Sequence, residues 1–291
     1  MRRIIFFLAI AIGVVSCDKV EKPYKISQGV EISIDTPSFP PLITVFQKYL
    51  FEDYTGHLCS NCPEGADILK NLKTTMKDTL VLMAVHAGAE PMVKPNPAEK
   101  GCDNGYTADY RTSTGDAYAA EFGITQNPSG MINRTNFAGG RVLTGTTKWV
   151  SSMNGIQRKP PTMGIQIIPV HSSDTVYVFI KTTLLSDVSR KLRLCAVLVE
   201  SGIISPQKNS KPSLGSIPNI CDYEHNHVLR ASFTPTAWGD KLELSNQNDT
   251  IIKAYALSFT GKPWVKEKSH IIAYIYDEVT KEIIQVEEKY L

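Results

Sequence analysis

The chain has 291 residues, 42% of them hydrophobic, so it is long enough for two domains with a well-packed core in each. Thirty-one basic residues against 29 acidic ones leave a formal charge of only +2. No basic stripe able to neutralise phosphates accompanies this balance, and nucleic acid is excluded as an expected partner.

At the N-terminus, Arg2 and Arg3 precede an apolar run over 4–15, followed by Ser16 and Cys17. The run is far shorter than the roughly 20 residues a membrane-crossing helix needs, so it reads as the core of a signal peptide over 1–16. Val14-Val15-Ser16-Cys17 is similar to a bacterial lipobox. Cleavage before Cys17 would make it the lipidated first residue, and several acyl chains on it would hold the protein to a membrane, each buried methylene adding roughly 0.8 kcal/mol. The polar stretch that follows suits a tether, placed over 17–40.

Strand-like and helix-like patterns alternate from there to residue 157. A strand is predicted over 48–54, a helix over 64–76 with Ala66, Leu69, Leu72 and Met76 on one face, and a strand over 79–86. A long Gly-, Pro- and Asn-rich loop covers 87–113. A helix over 116–122, a strand over 130–133 and a helix over 146–157 complete an α/β domain over 41–157. A linker at 158–161, containing Pro160 and Pro161, leads to seven strand-like runs, at 163–170, 175–184, 192–200, 227–233, 250–259, 270–276 and 282–288. Alternation and turn residues between them predict an all-β antiparallel sandwich over 162–291.

With Cys17 assigned to lipid, Cys59, Cys62, Cys102, Cys195 and Cys221 remain in an oxidising compartment. Their odd number leaves at least one thiol free or paired with another molecule. Cys195 and Cys221 both fall in the second domain, and a structural disulfide between them is expected, with Cys102 left over in the long loop. The Cys59-Ser60-Asn61-Cys62 pair ends a strand-loop and opens a helix, where unpaired N–H groups and the helix dipole favour the thiolate. Pro63 fits the first helical turn, where its missing donor costs nothing. An inert short disulfide fits the same residues, and so, less well, does half of a zinc site completed by Cys102 and His86. His57 would lower the Cys59 pKa if charged, although a solvent-facing loop histidine is the commoner case. His225 and His227, two apart on a predicted strand, would face the same side; without a third ligand they read as strand-edge histidines, and no metal or cofactor is expected.

The register of three features resembles thioredoxin. The acidic Asp53 precedes Cys59 at the interval of the buried proton acceptor, the dithiol opens a helix, and Phe122-Gly123-Ile124-Thr125-Gln126-Asn127-Pro128-Ser129 is similar to the turn with a cis-proline beside the dithiol. That resemblance implies a thioredoxin-like fold for the α/β domain, catalytic roles for Cys59, Cys62, Asp53 and Pro128, and substrate binding through the backbone of Asn127. Leu58 in place of the usual tryptophan, and Ser60-Asn61 in place of Gly-Pro, leave the redox potential open.

Beyond this, the lipobox, the segment from Tyr54 to Pro63, His86-Ala87-Gly88, Thr114-Gly115-Asp116-Ala117-Tyr118 and Tyr223-Glu224-His225-Asn226-His227-Val228-Leu229-Arg230 together resemble the 28-kDa outer membrane protein family of anaerobic Gram-negative lipoproteins. The resemblance implies an outer-membrane lipoprotein, held to the lipid through acylated Cys17, with a thioredoxin-like domain before a β-sandwich. Two functions follow as expectations. One is thiol-disulfide exchange by an oxidoreductase acting on envelope or surface proteins. The other is a surface adhesin or receptor, in which the thioredoxin fold is a scaffold and the sandwich binds a host or envelope protein.

Overall fold

Most of the secondary structure is β, in mixed sheets with few helices, and it follows from apolar runs that need cover on both faces. A computed structural model describes residues 34–43, 46–103, 105–186 and 190–291. The signal peptide, Cys17 and most of the tether lie outside the described residues.

The N-terminal part contributes strands β1 (Tyr49–Thr55), β2 (Leu80–His86), β3 (Ser129–Ile132) and β4 (Leu143–Thr144), with helices α1 (Cys62–Met76), α2 (Ser113–Phe122) and α3 (Trp149–Asn154). The rest is β5 (Met163–Ser172), β6 (Thr175–Leu184), β7 (Leu192–Glu200), β8 (Ile203–Ile204), β9 (Gln207–Lys208), β10 (Asn219–Ile220), β11 (Glu224–His225), β12 (Val228–Ser232), β13 (Asp240–Leu242), β14 (Thr250–Ser258), β15 (Ser269–Asp277) and β16 (Ile283–Tyr290). All seven long runs expected after residue 162 are strands, and the additional ones are short.

Helix α2 begins three residues earlier than the apolar spacing predicts, because the Thr112 hydroxyl accepts a hydrogen bond from the Gly115 N–H at 2.9 Å and caps the helix there. Gly123, at φ 63°, ends it in the left-handed conformation.

A nine-stranded sheet runs in the order β16-β15-β7-β12-β2-β1-β3-β4, with β13 also paired to β7. β1 and β2 are parallel, β3 is antiparallel to β1, and β4 is antiparallel to β3. β12 joins β2 in parallel, through Val228 opposite Ala84, and is antiparallel to β7. The strands on either side of the expected linker at 158–161 therefore share one sheet. The backbone edge that β2 would otherwise expose is closed by β12 at Val228. The remaining long strands form an antiparallel sheet in the order β14-β6-β5.

Alternation along the strands divides the cores. In β15, Ile271, Ala273 and Ile275 join Leu194, Ala196 and Leu198 of β7 in a core shared with Ile165, Val178, Ile180 and Tyr255 of the three-stranded sheet. The other face of the same strands, through Val197, Val199, Ile272 and Tyr274, packs in one cluster with Leu50, Tyr54, Val81, Val85 and α2's Tyr118. This second cluster crosses the expected domain boundary. Under α1 and α3 lies a third core built on Phe51, Leu69, Leu72, Leu82 and Trp149.

The tether expected over 17–40 is packed from residue 34 onward. Ile34 and Phe39 cover Tyr177 and Phe179 on the outer face of the three-stranded sheet, and the Gln166 amide donates to the Pro40 carbonyl at 2.7 Å. Apolar side chains at these two positions explain why the stretch is held against the sheet.

Candidate functional site

β1 is buried along its whole length, as expected of a strand with layers on both faces. Its alternation sets Leu50, Glu52 and Tyr54 on the α2 face, and turns Phe51, Asp53 and Thr55 toward α1. The chain leaves β1 through Gly56 and reaches the dithiol within three residues. Gly56 is required there, because a Cβ would stand 2.5 Å from the Met92 carbonyl oxygen, which accepts a 3.0 Å bond from the Leu58 N–H.

Cys59 and Cys62 are bonded to each other, and Cys62 is the first residue of α1. Pro63 occupies the first turn and Glu64 follows it, both suited to the positive end of the helix. Each sulfur-bearing residue is only 2% exposed.

Asp53 is 5% exposed, its Oδ1 has no hydrogen-bond partner, and burial pushes its carboxyl pKa up to about 7. Asp53 and Cys62 line a common cavity of about 540 Å³ between α1 and the segment over 223–228. Three further histidines, His86, His225 and His227, also line it.

Pro128, the residue before β3, follows Asn127 through a cis peptide. The Asn127 side chain is taken up locally: its amide donates to the Ala87 carbonyl at 3.0 Å, and its Oδ1 accepts from the Ala89 N–H at 2.8 Å.

His57 is not solvent-facing, as a loop histidine was expected to be. Its ring is buried, with Tyr106 at 5.5 Å and Tyr110 at 6.0 Å between centroids, and Nε2 donates to the Lys94 carbonyl at 3.0 Å. Burial lowers its pKa, so it is held neutral beside the dithiol and does not act as a fixed positive charge.

His225 and His227 also separate. β11 ends at His225, and His227 takes φ 57°, which breaks the extended run that would have put the two rings on one side. His225 packs at tilted or edge-on angles against Tyr223, Tyr110 and His86, whereas His227 meets His270 at 5.6 Å. Among the described residues, no group of three or more His, Cys, Asp or Glu side chains is placed to hold a metal ion.

The pairing expected between Cys195 and Cys221 is replaced by another. Cys221 is bonded to Cys102, and Cys195 is a buried free thiol on β7. The physical reason is placement. Cys195 points into the core on the α2 face of the sheet, while the hairpin of β9 and β10 carries Cys221 outward to meet the long loop.

That hairpin, which no local sequence pattern assigns to the site, covers the dithiol. The buried Gln207 amide donates to the carbonyls of Gly56, at 3.2 Å, and Cys59, at 2.9 Å. The Lys208 N–H donates to the His57 carbonyl at 2.8 Å, and the Ser210 N–H to the Ser60 carbonyl at 2.9 Å. The Ser210 hydroxyl reaches Asn61 Oδ1 at 2.7 Å. No periodicity marks these residues, because their partners lie about 150 positions away in the chain.

A second feature was also hidden. Glu52 and Arg134, both fully buried, form a two-bond pair on the α2 face at 2.9 and 2.8 Å, inside a cage of Tyr118, Phe122, Trp238, Tyr274 and Tyr276. It braces β1 one residue from Asp53.

No helix among the described residues is long and apolar enough to cross a membrane. No curated protein matches the chain. Solved structures do match, two of them as follows. A domain of the outer membrane lipoprotein Omp28 from Porphyromonas gingivalis shares 19% identity over 45% of this chain and 88% of that one, with a TM-score of 0.31. A protein from Agrobacterium tumefaciens shares 10% identity over 85% of this chain and 96% of that one, with a TM-score of 0.45. The family model described as outer membrane protein Omp28 matches residues 115–291, more than half of the chain, and the chain therefore belongs to the Omp28 family of outer membrane proteins.

Proposed function

We propose that this outer-membrane protein is tethered by lipidated Cys17 and uses Cys59 and Cys62 for thiol-disulfide exchange on envelope or surface proteins. The matched family region begins after the dithiol, so the chemistry rests on the site itself. The observation that carries it is a bonded Cys-x-x-Cys pair at the start of α1, whose Cys62 shares a cavity with a buried carboxyl that has one oxygen unpartnered and a pKa near neutrality. Supporting it is the strand order β2-β1-β3-β4, with a parallel β1-α1-β2 unit and Pro128 leading into an antiparallel β3-β4 pair. This favours a thioredoxin-like reading of residues 41–157, followed by a β-sandwich over 162–291 that shares its sheet.

In the oxidised state, a substrate thiolate attacks Cys59 Sγ, the Cys59–Cys62 bond breaks, and the Cys62 thiolate takes a proton from the Asp53 acid. The second substrate thiolate then displaces Cys59, and two electrons pass from the substrate dithiol to the protein. Run in reverse, the ionised Asp53 accepts the Cys62 proton, and Cys62 resolves a mixed disulfide held on Cys59.

The test is the equilibrium reduction potential of the pair, together with trapping of a mixed disulfide on Cys59 in the Cys62→Ser variant. A potential between roughly −270 and −120 mV and a trapped adduct support exchange; a value below about −300 mV with no adduct overturns it.

The near-complete burial of both cysteines favours a second reading, in which the bond is structural and the β-rich half serves as an adhesin or receptor. In that case the Cys59→Ser, Cys62→Ser double variant would keep its binding partner.

A further inference from the structure

Two flaps meet over the dithiol. One is made by the described parts of the long loop, over 87–103 and 105–112, whose Met92 and Lys94 carbonyls receive bonds from Leu58 and His57. The other is the segment over 205–221, whose Gln207, Lys208 and Ser210 bind the carbonyls of Gly56, His57, Cys59 and Ser60. This second flap lies along the Cys-x-x-Cys loop through backbone hydrogen bonds, as an incoming peptide strand would.

The flaps are also joined to each other. Tyr106 donates to Asn219 Oδ1 at 2.7 Å, Tyr110 and Ser205 share a 2.6 Å hydrogen bond, Lys208 pairs with Glu99, and Cys102 is bonded to Cys221. The first three contacts exchange with water when a flap lifts, and the disulfide does not. While it is closed, neither flap leaves without the other. The two disulfides also differ in access: Cys221 is exposed and Cys102 half-buried, whereas Cys59 and Cys62 are both buried.

We propose that Cys102–Cys221 is a second, outer redox site, reduced by an external dithiol, and that its opening releases the two flaps and admits a disulfide-exchange partner to Cys59–Cys62. The inference rests on the reading of Cys59–Cys62 as an exchange pair. A thiolate of the dithiol attacks the exposed Cys221 Sγ, forming a mixed disulfide and expelling the Cys102 thiolate, which takes a proton from water. The second thiolate of the same donor displaces Cys221, so the donor leaves as a disulfide and two electrons reside in the Cys102 and Cys221 thiols. The flap residues Gln207, Lys208 and Ser210 then vacate the carbonyls along the dithiol loop, which become available to a substrate strand.

The experiment follows both disulfides in the full protein during reduction by dithiothreitol, with acid quenching, alkylation and peptide mass spectrometry at each time point. Cys102–Cys221 should open first, and Cys59–Cys62 only after a lag. In the Cys102→Ser, Cys221→Ser double variant the lag should vanish, and Cys59–Cys62 should be reduced at least about tenfold faster, as expected when a local opening step is removed. Simultaneous opening in the unaltered protein, or an unchanged rate in a folded double variant, overturns the lock. The order of opening is read in the unaltered protein and needs no variant. Dithiothreitol reports access to the sulfurs alone. If the lag is present but the opened protein still forms no mixed disulfide with a protein substrate, the lock stands and the exchange reading falls.

Discussion

Replacing Asp53 by Asn tests whether the carboxyl beside the dithiol is kept for chemistry at the expense of stability. In the folded protein its pKa is about 7, against 3.8 for an ordinary aspartate, and burial is the cause. Between these two values the folded state holds the proton and the unfolded state does not, so stability falls as pH rises through that window. At about 1.4 kcal/mol per unit, the roughly three-unit difference amounts to about 4 kcal/mol of destabilisation at pH 8, of which about 1.6 kcal/mol is already present at pH 5. Asparagine has nearly the same shape and does not titrate. Urea unfolding of the wild type and Asp53→Asn at both pH values should show the variant gaining about 2.5 kcal/mol more, relative to wild type, at pH 8 than at pH 5. The histidines are common to both proteins and cancel in this difference. The same variant should resolve a mixed disulfide on Cys59 more slowly, since Cys62 loses its proton acceptor. An equal stability difference at the two pH values would refute the argument that burial alone raises this carboxyl.

Arg134→Met strands the Glu52 carboxylate inside the aromatic cage and should cost about 3–5 kcal/mol in urea unfolding, while Glu52→Leu combined with Arg134→Met should lose much less; a loss under about 1 kcal/mol for the single variant would show that the pair is not needed. His225 and His227 are held to a pKa of about 4 and His270 to about 3, all mainly by burial, so the unfolded state takes up their protons first as pH falls. Their contribution is complete above about pH 6.5 and is lost as pH falls through about 4 for His225 and His227 and about 3 for His270, about 3 kcal/mol for His225 alone, and His225→Phe should flatten its part of the stability profile in thermal unfolding.

What could be read from the sequence was what repeats locally. Alternation of Met163, Ile165 and Ile167, and of Val176, Val178 and Ile180, marks the core faces of β5 and β6, and these residues do face the core. The spacing of Leu69 and Leu72, with Pro63 after Cys62, places α1 and the dithiol at its start. Features that depend on distant partners stayed hidden. Nothing in Val228 announces that it will sit opposite Ala84 and join the two halves into one sheet. Disulfide connectivity cannot be deduced from spacing, and Cys102 finds Cys221 at a separation of 119 residues only because two loops converge over the dithiol. Arg134 reads as a turn residue, at φ 53°, and its burial becomes intelligible only once Glu52 and five aromatic rings surround it.

The two disulfides differ in what each can contribute to stability, and this bears on their roles. In the chain-entropy account, a cross-link between residues three apart restricts the unfolded chain little, by about 2 kcal/mol, whereas one across 119 residues restricts it by about 5 kcal/mol. If disulfides served only to hold this fold, the exposed bond would supply most of the effect, and the buried one would need neither the start of a helix nor a carboxyl near neutrality beside it. Opening Cys102–Cys221 acts mainly on the unfolded state, and it leaves in place the cores on both faces of the nine-stranded sheet. The outer bond can therefore open without dismantling the protein, while the flaps it joins are held over the inner bond by hydrogen bonds to its loop and by the packing of Tyr106 and Tyr110 against His57. A cover contributed by the second half of the chain also gives the shared sheet a purpose. β12 anchors that half beside β2, which fixes the hairpin of β9 and β10 at the distance from which Gln207 and Ser210 reach the dithiol loop.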